Sequence, residues 1–182
     1  MDVMKAIEAR SSVRSYQQKP IGDEMMSTVV RAANLAPMFG RFSIAVIENP
    51  ALMQKINDVT LNMMKHSGDA FLEKRAATEG YQPLYGAATM IVLSAPGGND
   101  EHGFNMANVS CAAENMIVQA TELGLGSCFV MGPMIAFGDA DLARGLNAPE
   151  GFVPLVGVLV GWPTEVLKAN ERKNPDNVAW LK

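Results

Sequence analysis

The feature that most constrains this chain is a long stretch, from Asn105 to Leu123, in which apolar residues recur at helical spacing. Glu114 is the only charged residue between Asn105 and Thr121. A helix that carries almost no charge on any side is normally buried in a core or an interface. The stretch therefore predicts a central helix that other parts of the molecule must cover. Its recurring apolar positions are Val109, Ala112, Ala113, Met116, Ile117 and Ala120.

Shorter segments around this helix predict a mixed architecture. Strands are predicted at 42–47, 87–95, 127–131 and 153–160, and helices at 2–9, 22–36, from 50 to about 65, and near 139–146. Residues 66–83 are predicted to form a mobile, partly helical excursion. The elements alternate irregularly, with several helices per strand, which favours an α+β fold in three layers over a doubly wound sheet. No repeat or linker divides residues 1–182, so we expect a single domain.

Charge and cysteine content exclude several classes of function. The net charge of −4 disfavours a nucleic-acid-binding protein, which normally has a basic face. Cys111 and Cys128 lack the Cys-x-x-Cys spacing, so the sequence predicts neither a disulfide framework nor a zinc site. Charged residues near the start argue against a signal peptide, and glycine and proline interrupt the longest uncharged stretches. We expect a cytoplasmic protein with no nucleic-acid or membrane partner.

The uncharged central helix also bears on assembly. One set of strands with a wholly apolar helix implies a large second surface that must be hidden from water. In a chain of 182 residues, a twofold subunit interface is the simplest way to hide it. The sequence therefore predicts a homodimer.

A basic motif, Arg10-Ser11-Ser12-Val13-Arg14, directly follows the first predicted helix. Two guanidinium groups four residues apart, with hydroxyls between them, can converge on one phosphate through charge-assisted hydrogen bonds. The motif can equally be a solvated helix end, because arginine near a C-terminus is favoured by the helix dipole. Spacing alone leaves both interpretations open.

A second motif joins the central helix to a strand and runs from Glu122 to Gly132 as ELGLGSCFVMG. Phe129 stands where a dinucleotide fingerprint of the G-x-G-x-x-G type would need its third glycine. Gly132-Pro133, after the strand, would let the backbone approach a planar ligand closely. An ordinary helix–turn–strand connection explains the same residues.

The third candidate is a basic pair, Arg172-Lys173, in a polar segment near the end of the chain. Such a pair is usually part of a solvated surface. It could also complete a phosphate pocket that Arg10 and Arg14 begin.

Taken in order, these motifs resemble the nitroreductase family of flavoproteins over nearly the whole chain. The most specific parts are RSSVRSY at 10–16, AANLAP at 32–37, the stretch 108–132 ending in ELGLGSCFVMG, and VLVGWP at 158–163. The resemblance implies a three-layer α-β-α fold with a mostly antiparallel central sheet. It also implies an intertwined homodimer with swapped termini, and an FMN in each of two pockets at the subunit interface.

By position, the resemblance assigns a role to each matching residue. Those that match the segment holding the FMN phosphate and ribityl chain are Arg10, Ser11, Ser12 and Arg14. Arg172, with Lys173, matches a terminal basic residue on the same phosphate. Met131 and Gly132 match the strand end whose backbone N–H groups face flavin N5.

One segment departs from the family pattern. After the Ala-Pro dipeptide the family usually carries serine, asparagine and glutamine side chains that line the flavin from the partner subunit. This chain has Met38-Phe39-Gly40-Arg41, which is shorter and lacks those amides. Met38 and Gly40 are expected to line the site, with altered polar contacts to the ring and an altered substrate preference.

The chemistry implied is that of a flavin oxidoreductase. His66 and His102 lie in polar surroundings, Cys128 is predicted to be buried, and no catalytic triad is readable, so the cofactor would perform the chemistry. We expect a ping-pong cycle in which NADH or NADPH reduces FMN at N5 and a small acceptor, such as a nitroaromatic or quinone, then takes its place. Arg14 is the candidate for the positive group near flavin N1 and O2. The alternatives are a non-catalytic FMN-binding or storage protein, and a flavin enzyme of the same fold with another reaction, such as dehalogenation or flavin fragmentation.

Overall fold

The computed structural model describes residues 2–98, 100, 103–167 and 177–181. The α-helices within these residues are α1 (Val3–Ala9), α2 (Asp23–Ala33), α3 (Pro50–Lys65), α4 (Ala70–Ala76), α5 (Phe104–Glu122) and α6 (Ala140–Gly145). A 3-10 helix spans Gly132–Gly138. The strands are β1 (Ser43–Ile47), β2 (Thr89–Pro96), β3 (Gly126–Val130) and β4 (Phe152–Gly161).

The four strands form one sheet in the order β1-β2-β4-β3, and every neighbouring pair is antiparallel. The central strands β2 and β4 are apolar on both faces. Successive side chains of a strand point to opposite faces, so Ile91 and Leu93 enter one core while Met90 and Val92 enter the other. A sheet buried on both faces needs a helical layer on each side, which explains the three-layer arrangement.

Helix α5 lies against the first face of the sheet, and α1 and α2 pack on α5. The second face is covered by α3, the 3-10 helix and α6, while α4 packs on α3. All six recurring apolar positions of α5 are buried, as the helical spacing predicted. The predicted α+β fold, in three layers around an antiparallel sheet, is therefore confirmed.

Several predicted boundaries were wrong by a few residues. Helix α2 ends at Ala33 and not at Ala36, because the chain tightens into a turn in which Leu35 N–H donates to Ala32 O and Ala36 N–H donates to Ala33 O. Strand β2 begins at Thr89 instead of Ala87. Only Ala70–Ala76 is helical within the predicted excursion, and the 3-10 helix was not predicted at all.

The end of α5 agrees with the sequence. Gly124 adopts φ +78°, and Leu125 N–H donates to Ala120 O at 2.8 Å, which closes the helix with a left-handed residue. The reversal sends the chain directly into β3. None of the helices in the described ranges is long and apolar enough to span a membrane.

The segment after α1 runs along the far edge of the sheet. Val13 N–H donates to Ser127 O at 2.8 Å, and Ser12 forms an isolated parallel bridge with Ser127. This close approach depends on Gly126, where an added Cβ would lie 2.9 Å from a Val13 methyl and 3.1 Å from Pro163 Cβ. Glycine at the start of β3 thus positions the basic motif against the sheet.

We expect Gly126→Ala to lower the free energy of unfolding by about 1–3 kcal/mol, because neither the branched Val13 side chain nor the Pro163 ring can yield easily. Urea unfolding followed by circular dichroism measures this loss. Gly145→Ala, at the end of α6, is the matched control, since nothing lies within 4 Å of an added Cβ there. Equal stability of the two variants would contradict the close approach at Gly126.

Candidate functional site

A cavity of about 340 Å³ opens where the 3-10 helix follows β3. One wall is the strand end from Cys128 to Pro133, and the other is formed by parts of α3 and α4 and by the loop before β2. Arg14 from the N-terminal segment also lines it. Five separate parts of the chain therefore meet at this point.

The basic motif is spread along β3 and does not form a compact cluster. Arg10 lies at the C-terminal end of α1, half-buried, with its Nε 3.9 Å from the Glu114 carboxylate. Ser11 is half-buried, whereas Ser12 and Arg14 are exposed. Of these residues, Arg14 lines the cavity together with Met131 and Gly132. The structure thus brings Arg14 of the first predicted motif into the same cavity as Met131 and Gly132 of the second.

The pKa of the buried Cys128 thiol depends on the charged and polar groups around it. Burial raises the pKa of this thiol, and Arg14 opposes the rise most strongly among its neighbours. A hydrogen bond from Ser12 and the positive charges of Arg75 and Arg10 also lower the pKa. Cys128 is buried, as the sequence predicted, and its thiol is accordingly poorly ionised although cationic and hydroxyl groups surround it.

Met131 and Gly132 form the junction between β3 and the 3-10 helix. Met131 occupies the position before the helix, with φ −115°, and its carbonyl accepts from Met134 N–H at 2.9 Å. An added Cβ at Gly132 would meet nothing within 4 Å. The chain itself therefore leaves space beside this backbone, which a ligand can use.

The Met38–Arg41 loop lies at the opposite edge of the sheet, before β1. Phe39 N–H donates to Asn108 Oδ1 at 2.9 Å, and the Asn108 amide donates back to Phe39 O. Gly40 adopts φ +104°, which favours glycine. Because β2 and β4 separate β1 from β3, the strand that follows the loop is three inter-strand spacings of ~4.8 Å, or ~14 Å, from β3. Met38 and Gly40 do not line the cavity of their own chain.

The third predicted motif, Arg172 with Lys173, lies outside the described residues. Its proposed convergence with Arg10 and Arg14 stays a prediction.

Sequence reasoning missed three residues on the cavity wall: Arg75, Tyr81 and Tyr85. An Arg75 N–H donates to the Tyr85 hydroxyl at 2.6 Å, and the Arg75 guanidinium carbon lies 5.0 Å from the centroid of the Tyr81 ring. A side-chain hydrogen bond with Tyr81 raises the pKa of Arg75 further above its usual value, so it stays charged. The available signal was an arginine followed by tyrosines six and ten residues later, around the predicted mobile excursion at 66–83.

Two buried hydroxyls near the cavity lack a hydrogen-bond partner among the residues that the structure describes. Thr60 Oγ1 belongs to α3 and lines the cavity, and Ser127 Oγ precedes Cys128 in β3. An unpartnered buried hydroxyl costs free energy, and a ligand can supply the missing partner.

The described residues offer little for other kinds of catalysis. His66 is exposed and its Nδ1 lies 2.9 Å from Asn62 O, while His102 is outside the described ranges. No group of three or more His, Cys, Asp or Glu side chains within those ranges could hold a metal ion. The cavity instead combines cations, tyrosines, a free hydroxyl and an open strand end, which suits binding of an anionic, ring-containing molecule.

Fold and site together define an α-β-α protein with a cavity where its antiparallel sheet meets a 3-10 helix. The family model described as Nitroreductase family matches residues 7–162, and the chain belongs to this family. A protein of Archaeoglobus fulgidus, named as a candidate NADH dehydrogenase/NAD(P)H nitroreductase, is 29% identical, with 97% of this chain and 96% of that protein covered. A Cr(VI) reductase of Pseudomonas sp. (strain G-1) is 24% identical over 88% of this chain and 66% of its own.

Solved structures of similar fold support the same architecture. A nitroreductase with bound FMN from Bacteroides fragilis has a TM-score of 0.86 and 24% identity, with both chains fully covered. A nitroreductase with bound FMN from Desulfitobacterium hafniense has a TM-score of 0.89 and 22% identity, covering 100% of this chain and 99% of the other.

Proposed function

We propose that this protein is an FMN-dependent oxidoreductase that takes electrons from NADH or NADPH and passes them to a small acceptor, such as a nitroaromatic or a quinone, in a ping-pong cycle. The observation that carries the proposal is the meeting of Arg14 with the Met131–Gly132 backbone in one cavity. Family membership and the FMN-bound proteins of the same fold support it.

The residues of the cavity fit such a cofactor. Its volume of about 340 Å³ is within the range of small-molecule sites. A second cleft of about 420 Å³ shares Arg14, Tyr81 and Tyr85 with it. Within the described part of the chain, no carboxylate forms an ion pair with Arg14. Its positive charge is available to an anion, and Thr60 Oγ1 is available to a polar group.

The proposed residue roles follow the family pattern. Arg10, Ser11, Ser12 and Arg14 would hold the phosphate and ribityl chain, with Arg172 and Lys173 joining them. Met131 and Gly132 would present backbone N–H groups to the ring. Met38 and Gly40 would line it from the partner subunit, which agrees with their place outside the cavity of their own chain.

Bound FMN would supply the redox chemistry, which is hydride transfer from the nicotinamide and electron transfer to the acceptor. The chain's own contribution is binding, orientation and exclusion of water. Arg14 provides fixed positive charge, which favours any negative charge that develops beside it. The apolar side chains of Met64 and Leu72 line the same cavity and keep part of it dry.

We propose further that two copies of the chain form an intertwined dimer and that the cytoplasm is its location. Helix α1 exposes Val3, Met4 and Ile7, and the described part of the C-terminal segment exposes Trp180 and Leu181. Exposed apolar side chains on both terminal segments are what a terminus-swapped interface would cover.

Sedimentation velocity on FMN-loaded protein is expected to give one species with the mass of two chains. A monomer at micromolar concentration would refute this assembly.

Replacing Arg14 with alanine is expected to weaken FMN binding about ten- to a hundredfold, because one charge-assisted hydrogen bond to a phosphate contributes ~1.5–3 kcal/mol. Titration of apoprotein with FMN, followed by flavin fluorescence quenching, measures the affinity. Arg144→Ala is the control, since this exposed arginine pairs with Asp141 on α6, outside the cavity. Unchanged affinity in Arg14→Ala would show that the motif does not hold the cofactor.

The decisive experiment for catalysis is anaerobic mixing of FMN-loaded protein with NADH and, separately, with NADPH. We expect bleaching of the flavin absorbance well above the rate for free FMN, and recovery of the colour when a nitroaromatic, a quinone or chromate is added. Chromate is included because a relative is a Cr(VI) reductase. Persistent yellow colour with both nucleotides would favour a flavin store, and fragmented flavin or a released halide would favour a different reaction on the same fold.

A further inference from the structure

A fixed pair of cations flanks one tyrosine on the wall of the cavity. Tyr85 accepts a hydrogen bond from Arg75 at 2.6 Å, while the guanidinium carbon of Arg14 lies 5.8 Å from the centroid of the Tyr85 ring. Tyr81 meets Tyr85 edge-on, with ring centroids 6.1 Å apart and planes at 75°. The guanidinium groups of Arg14, from the N-terminal segment, and Arg75, from α4, therefore both lie against Tyr85.

The backbone at this wall is under strain. Tyr85 adopts φ +51°, a left-handed conformation that is uncommon for a residue with a large side chain. Such strain is kept only where the surroundings enforce it, and it concentrates at binding and catalytic sites. Here the turn around Tyr85 is closed by Tyr85 N–H donating to Gln82 O and Ala87 N–H donating to Leu84 O. The Tyr85 ring is thereby held toward the cavity, where it fixes Arg75.

The Arg75 guanidinium has N–H groups that remain available to bind an anion. Its contacts are with the two tyrosines, and among the described residues no carboxylate pairs with it. Glu79 lies in the neighbouring cleft beside Arg14, not in the cavity that Arg75 lines. A guanidinium presents more N–H groups than the tyrosines use, in a planar fork that matches a carboxylate or sulfonate.

We propose that Arg75 is a specificity-determining residue that selects electron acceptors with an anionic substituent on an aromatic ring. The guanidinium of Arg75 binds the carboxylate or sulfonate, and the exposed part of Tyr81 packs against the ring of the acceptor. The proposal rests on the proposed oxidoreductase function and adds the class of acceptor to it.

The test compares two acceptors that differ in charge and little in shape, 4-nitrobenzoate and 4-nitrobenzyl alcohol. In Arg75→Gln, the KM for 4-nitrobenzoate is expected to rise about tenfold with kcat unchanged, because a charge-assisted contact is lost. The KM for the uncharged alcohol is expected to stay within about twofold, since no charged contact is removed. Arg75→Lys keeps the positive charge but loses the planar, forked arrangement of N–H groups. Its KM for 4-nitrobenzoate should therefore lie between those of the wild type and Arg75→Gln. Lys74→Gln, which removes one charge from the same helix outside the cavity, is the matched control and should leave both values unchanged.

A binding measurement without electron donor separates recognition from turnover. Calorimetric titration of oxidised, FMN-loaded protein with each nitro compound should show the same selective loss for 4-nitrobenzoate in Arg75→Gln. Three outcomes would overturn the assignment of Arg75 to the acceptor. These are equal effects of Arg75→Gln on both nitro compounds, a change in turnover with NADPH but not with NADH, and loss of FMN from the variant. If wild-type protein binds no FMN or leaves both nicotinamides unoxidised, the proposed function itself has failed, and the two failures are thus distinguishable.

Discussion

The two central strands are apolar on both faces, and this constraint organises the molecule. Neither β2 nor β4 can face water, so helices must cover the sheet on both sides. Helix α5 covers one face almost alone. The other face is covered by α3 and a short 3-10 helix, and the cavity opens where that second layer meets the end of β3. The site is thus a consequence of how the sheet is covered.

Charge in the cavity is held in place by packing. Arg14 reaches it because Gly126 lets the N-terminal segment lie against β3, and Arg75 reaches it because two tyrosines bind its guanidinium. Neither arginine is neutralised by a carboxylate among the residues described. Positive charge that no carboxylate pairs with favours an anionic ligand, and FMN and a nicotinamide nucleotide both carry phosphate groups.

Much of the fold could be predicted because the relevant patterns are local. The helical spacing of α5, Gly124 at its end and the apolar runs of the strands each act within a few residues. The 3-10 helix was missed because a short run after Gly132-Pro133 has no distinctive spacing. Arg75 was missed for another reason. It is placed in the cavity by its contacts with Tyr81 and Tyr85, which depend on a strained turn at Tyr85 that no local sequence pattern predicts.

The amino-acid sequence by itself determined the three-layer α+β fold and the buried central helix, because hydrophobic periodicity and turn residues encode them directly. The order of the basic motifs along the chain is likewise read from it without the structure. Only the tertiary structure decided that Arg14 meets the β3 end while Met38 and Gly40 lie at the opposite edge of the sheet. Only it brought Arg75 to the same cavity. The physical reason is that strand order and helix packing, rather than separation along the chain, set the distances between side chains from different elements.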